Sequence, residues 1–262
     1  MAYTVVFILA LIYIVPLLTM VNTSFKTSGE FMKDPTSLST NISPKNYLDA
    51  WKKANFASYL VNTLIYTVVS TVAYVFIATF VAFPISRRYI RGSQWIYTLY
   101  LIALFLPNNL IPQFQFMLNL GLYNSQAGYI ILTLTGGLGI LILVSTIQSI
   151  PRELDEAAAM DGCGYFQYVI QILMPLIKPA LATVALLQAI GIWNDIILPM
   201  IYLASKNYYP VTRGLMAFYG QFGTAWNLLS AAVIIMIAPL VILFIFLQRY
   251  IIEGALRGSI KG

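Results

Sequence analysis

The chain has 262 residues, of which 60% are hydrophobic and 9% charged, with a mean hydropathy of +0.80 and a formal charge of +6. Soluble domains carry roughly 25% charged residues, so a water-soluble globule is excluded, and recurring apolar runs near 20 residues point to a polytopic, all-α membrane protein. Histidine is absent and Cys163 is the single cysteine. That removes the usual proton shuttle, an internal disulfide and any multi-thiolate metal site, while scattered basic residues suit anionic lipid better than nucleic acid.

The opening run YTVVFILALIYIVPLLTMV has no basic stretch before it and is long enough to span, so it reads as a retained helix over 3–21 with a kink at Pro16. A polar loop follows over 22–58, with Tyr47 and Trp51. Further spans are expected at about 60–83, 95–110, 127–149, 179–202 and 228–247, six in all, within one domain covering 1–262. Aromatic residues stand near many of the ends (Tyr59, Trp95, Tyr129, Tyr202, Trp226, Tyr250), as interface anchors do.

Basic residues divide almost evenly between the two sets of loops. The loop PISRRYIRGSQ lies directly against two spans and holds three arginines and no acid, so it is taken as cytoplasmic, which puts both termini inside. In the fourth span LTGGLGILIL offers Gly136, Gly137 and Gly139 for close helix approach; no lysine follows to make a phosphate loop.

The loop 150–178 is unusual. Four of the nine acids of the chain, Glu153, Asp155, Glu156 and Asp161, fall within PRELDEAAAMDG. Pro151 suits a first helical position, the acids sit at the positive end of the helix dipole, Ala157, Ala158 and Ala159 favour helix, and Gly162 permits a left-handed turn to end it. A second helix is expected from Gly164 to Met174, with Tyr165, Phe166, Val169, Ile170 and Leu173 on one face, before LMPLIKP breaks the chain. From the residues alone this is either an amphipathic surface loop or a small-faced knob shaped for the groove of a partner.

The fifth span carries GIWNDIILP. Asp195 is the one acid within or near a span, and Trp193 and Asn194 could stack on and hydrogen-bond to a sugar; helix packing explains each as well. A secondary transporter would need ion-coordinating groups at mid-membrane, for which Asp195 alone is available. A membrane enzyme would need clustered acid–base or metal residues, and the lack of histidine and of paired intramembrane carboxylates argues against it.

ELDEAAAMDGCGYFQYVIQILMPLIKPAL resembles the EAA loop of ABC-importer permeases, matching at Glu156, Ala157, Ala158, Asp161, Gly162 and Pro175, with Met174 where leucine is common and Cys163 where alanine is usual. TSFKTSGEF, NTLIYTVVST, GIWND, GQFGTAWN and LQRYIIEGALRGSIKG, in that order, resemble the carbohydrate-uptake branch, second permease of the pair. The resemblance implies the ABC type I importer permease fold, with six transmembrane helices and 150–178 as a cytoplasmic coupling loop. Glu153, Glu156, Ala157, Ala158, Asp161 and Gly162 would then engage an ATPase, and Trp193, Asn194 and Asp195 are candidates for the substrate path. It further implies a multi-pass subunit of a bacterial or archaeal cell membrane that binds no cofactor and catalyses nothing. ATP and Mg would be used by two ATP-binding cassette partners, alongside a homologous permease and an extracytoplasmic sugar-binding protein. The cargo would be a sugar, an oligosaccharide by preference because no basic residue lies within the spans; glycerol phosphate is the alternative.

Overall fold

The computed structural model describes residues 2–259 except 41, 54, 108, 221 and 222. Fourteen helices are numbered here. They are α1 (Ala2–Phe25), α2 (Ser28–Lys33), α3 (Lys45–Lys53), α4 (Phe56–Arg87), α5 (Ser93–Ala103), α6 (Leu110–Asn119), α7 (Gln126–Thr133), α8 (Leu138–Gln148), α9 (Glu153–Met160), α10 (Tyr165–Leu176), α11 (Lys178–Asn194), α12 (Ile197–Tyr202), α13 (Val211–Gly214) and α14 (Trp226–Ser259). A two-residue hairpin pairs β1 (Tyr219–Gly220) with β2 (Gly223–Thr224), antiparallel. The C-terminal GALRGSIKG, for which the resemblance allows contact with the ATPases, lies outside the described side chains.

Among the described residues two helices are by themselves long and apolar enough to cross a membrane, Tyr3–Phe25 and Phe56–Arg87. The pairs α7 with α8, bent by 45°, and α10 with α11, bent by 88°, meet the same length and apolarity only when each pair is taken together. The expected helix over 95–110 is interrupted, because α5 ends at Ala103 and helix resumes at Leu110. Pro107 lacks an N–H and disfavours helix at Leu106, which accounts for the break. The stretch 127–149 opens over 134–137, where Gly136 and Gly137 stand. There Tyr74 donates its hydroxyl to the Gly136 carbonyl at 2.5 Å, and Gln188 Nε2 donates to the Thr133 carbonyl at 2.5 Å. The freed backbone is thus satisfied by side chains, as apolar surroundings require. The stretch 179–202 divides at Asp195, which is extended.

The chain forms two compact units. One comprises residues 1–63 and 206–242. Its polar loop is pinned: Lys26 is fully buried, and its ammonium donates to the carbonyls of Asp34 and Pro35 at 2.8 and 2.9 Å. Asn46 Nδ2 donates to the carbonyls of Ser24 and Lys26, and a Thr27–Glu30 capping box starts α2. The core there gathers Ala50, Phe56, Tyr59, Val211, Phe218 and Leu229.

The other unit comprises residues 64–205 and 243–262. Its core joins Tyr74, Ala78, Ala82 and Phe83 of α4 to Leu143, Val144 and Ile147 of α8, Val169 and Leu173 of α10, and Val184 of α11. Close approach rests on small residues rather than on expulsion of water. A Cβ at Gly139 would stand 2.6 Å from the Tyr74 hydroxyl and 2.8 Å from Val184 Cγ1; at Gly137 nothing would be nearer than 3.6 Å. Of the three glycines singled out, Gly139 is the one the packing demands.

Candidate functional site

The loop 150–178 folds as two helices joined at Gly162–Gly164. Helix α9 begins at Glu153, two residues after Pro151, and no side chain caps it. Glu153, Asp155 and Glu156 occupy its first turn, where the exposed N–H groups and the dipole favour negative charge. Its C-terminus is a Schellman motif: Gly162 N–H donates to the Ala159 carbonyl at 3.1 Å and Cys163 N–H to the Ala158 carbonyl at 2.9 Å. Gly162 takes φ +74°, and a Cβ there would meet nothing within 4 Å. Glycine is needed for the backbone conformation alone.

Only Asp155 and Ala158 of α9 are buried. Glu153, Leu154, Glu156, Ala157, Met160, Asp161 and Gly162 are exposed, Met160 at 90%. Five of the six residues expected to meet a partner thus lie on the accessible surface. Ala158 does not: it is 7% exposed and packs in this chain's own core, because residues 155 and 158 share the inward face. Leu154 and Met160 lie on the outward side instead, where hydrophobicity alone would not have placed them.

Asp155 is held by four side-chain contacts. Arg87 Nε lies 2.6 Å from Oδ2, and Arg87 Nη2 donates to Oδ1 at 3.1 Å. Tyr89 donates its hydroxyl to Oδ2 at 3.2 Å, and Tyr168 donates to Oδ1. Arg87 Nη1 reaches past α9 to the Ile150 carbonyl at 3.0 Å. Burial, then the bond to the carboxylate, holds the Tyr168 phenol above its ordinary pKa of 10.0. Sequence reasoning missed this cluster. Arg87 reads as one of three loop arginines, and Asp155 as one of four solvated acids.

Helix α10 is anchored beside it. Pro84 inside α4 has no N–H, so the carbonyl of Phe80 loses its helical donor. The Tyr165 hydroxyl donates to that carbonyl at 2.6 Å. Phe83 stacks on Tyr168, with ring centroids 5.1 Å apart. Residues Tyr168–Leu173 form a π turn, a wider coil often found at functional positions.

The second candidate group is less convergent. Trp193 is buried at 4% exposure. Asn194 is exposed, and its amide donates to the Ile190 carbonyl at 3.0 Å. Asp195 accepts the N–H groups of Ile197 and Leu198 at 3.1 and 3.2 Å and the Tyr129 hydroxyl at 3.2 Å, so it caps α12. Among the described residues no group of His, Cys, Asp and Glu could hold a metal ion.

Residues 56–256 match the family of binding-protein-dependent transport system inner membrane components. The chain belongs to that family. It is a membrane permease component, a part that conducts cargo rather than one that catalyses. It is 33% identical to the probable ABC transporter permease protein YurM of Bacillus subtilis, over 98% of this chain and 86% of that one. It is 27% identical to the melibiose/raffinose/stachyose import permease protein MelC of the same organism, over 97% and 94%. The fold of the permease is also that of a chain from a bacterial ABC transporter involved in the import of the acidic polysaccharide alginate. The TM-score is 0.85 at 24% identity, covering 95% of this chain and 94% of that one.

Proposed function

We propose that the permease forms half of the pore of an ATP-driven importer that moves a sugar, an oligosaccharide, into the cytoplasm. One observation carries the coupling role. Helix α9 presents Glu153, Glu156, Ala157 and Asp161 outward, while Asp155 and Ala158 tie it to the bundle. A short helix held this way, acidic and alanine-rich with Leu154 and Met160 also turned outward, suits the cleft of a water-soluble subunit. The sugar reading is supported by MelC, which is named for melibiose, raffinose and stachyose import and aligns with nearly the whole chain.

The complete transporter would then comprise this chain, a homologous permease, two ATP-binding cassette subunits that use ATP and Mg, and an extracytoplasmic sugar-binding protein. Residues 1–262 would act as a single transmembrane domain with six crossings in a bacterial or archaeal cell membrane, several made by interrupted helices. Both termini would be cytoplasmic, and Trp193, Asn194 and Asp195 would lie along the cargo path, where Asn194 has the exposed side chain.

Co-expression with the partner permease and the ATPases, followed by purification through this chain, tests the reading. Retained ATPase, with ATP hydrolysis and oligosaccharide uptake both raised by the sugar-loaded binding protein, is the expected result. A chain that inserts, pairs and retains no ATPase would overturn it.

A further inference from the structure

Helix α9 has little apolar grip on the bundle, since one methyl group, that of Ala158, and one carboxylate make up its buried face. A load on such a helix would slide it unless something directional resisted. Arg87 and Asp155 supply the direction. The guanidinium meets the carboxylate with two nitrogens, Nη2 in a hydrogen bond at 3.1 Å and Nε in an ion contact at 2.6 Å, and this two-point contact limits how the pair can rotate. Arg87 is the last residue of α4, and its remaining nitrogen holds the Ile150 carbonyl at the entry to the loop. Tyr168 brings α10 to the same carboxylate, and its ring stacks on Phe83, one turn before Arg87. One buried charge cluster therefore ties the end of α4, the loop entry, α9 and α10 together.

We propose that the Arg87–Asp155 pair is the joint that delivers movement of α9 to the long helix α4, which makes both of them positioning residues for transport. The inference rests on the coupling role given to α9 above. A flush apolar contact would let α9 shift by small increments; a forked ion pair, buried and further bonded by two phenols, breaks or holds. Movement imposed on α9 then reaches α4 undiminished while the pair is intact. Without the pair, an ATPase could still seat on the outward face, which neither residue touches, and hydrolyse ATP with less effect on the pore.

The test uses the assembled transporter in vesicles and reads two quantities separately: the ATPase retained, and the sugar moved per ATP hydrolysed. Asp155→Asn, Arg87→Gln and Arg87→Lys are compared with wild type. Retention within about twofold, with the transport-to-hydrolysis ratio falling roughly tenfold in the first two variants and less in Arg87→Lys, is the expected outcome. A purely structural role would lower the amount of assembled transporter and leave the ratio alone, and that result overturns the joint. Should the first two variants fail to insert, Arg87→Lys and Tyr168→Phe decide the matter: a wild-type ratio in both overturns it, a lowered ratio supports it. Failure of the wild-type chain to retain ATPase sinks the coupling reading itself, which keeps the two failures apart.

Discussion

Gly162 and Ala158 differ in what they tolerate, though a short alanine-rich motif makes them look alike. At Gly162 the φ of +74° is the constraint and the surrounding space is open. Gly162→Ala should cost on the order of 1 kcal/mol locally, and Gly162→Asn less, since asparagine accepts the left-handed region. Gly162→Asp adds a charge on the exposed side and should lower ATPase retention more than Gly162→Ala does. At Ala158 the side chain faces this chain's own core. Ala158→Glu should therefore damage folding, by the roughly 1–3 kcal/mol typical of overpacking plus the burial of a carboxylate, before it damages docking. Detergent-resistant folded yield read beside ATPase retention separates the two; normal yield with lost retention at Ala158→Glu would return that residue to the outward face. Tyr168 carries a pH consequence. A phenol whose folded pKa is raised contributes stability fully present below its unfolded value of 10.0 and lost as pH rises through the folded one. Between about pH 9 and about pH 12 wild-type thermal stability should fall more steeply than that of Tyr168→Phe, which has no such proton to lose. Parallel curves would show that the Tyr168 phenol is neither buried nor bonded to the carboxylate.

At the scale of elements, what was legible in the sequence was periodic or conformational. Apolar length gave the helices 3–21 and 60–83, and Gly162 gave the turn after α9, because each depends on residues close in sequence. What was not legible depended on partners distant in sequence. The opening between α7 and α8 is stable because Tyr74 and Gln188 fill its carbonyls from 62 and 55 residues away, beyond the reach of any local pattern. Likewise Tyr165 repairs the carbonyl that Pro84 orphans, 85 residues away. Hydrophobicity also misassigns the faces of α9, since Leu154 is exposed while Asp155 is buried; the partner of the acid, not its polarity, decides. The glycines of LTGGLGILIL look equivalent on the page and are not. Gly139→Ala would force a methyl to 2.6–2.8 Å from Tyr74 and Val184, so α8 must shift, with loss of roughly 1–3 kcal/mol. Gly137→Ala meets only ordinary contacts, and Gly137 is the N-cap of α8 rather than an interior position, so the change should be near neutral and cost less than Gly139→Ala. Thermal denaturation of the two variants in the same detergent checks the contrast, and equal losses would mean that α8 is not packed against Tyr74.

At the scale of the whole molecule the proposed orientation of the chain turns on where charge remains free. Arg87 is neutralised by Asp155, and Lys26 is buried against carbonyls. Removing one cation from each set of loops leaves the balance as even as it looks in the sequence, so the overall count decides nothing. Position decides it. Arg88 and Arg91 are exposed in the short connection between α4 and α5, and Arg152 is exposed at the start of α9. Short loops beside spans are the ones whose lysines and arginines hold orientation, which supports the proposed cytoplasmic side for this connection and for the loop 150–178. If the chain crosses six times, an even number, both termini share that side. A reporter active only in the cytoplasm should then work when fused after Gly262 and within Arg88–Ser93, and fail when fused near Ile42. A reporter active only outside should give the opposite pattern. Three stretches are interrupted, 95–110, 127–149 and 179–202, and one that enters and returns would change the parity of the count. Activity of the cytoplasmic reporter at Arg88–Ser93 but not after Gly262 would show an odd number of crossings between them while leaving the arginine-based orientation intact. Activity near Ile42 alone would reverse the orientation and place α9 where no ATPase could reach it.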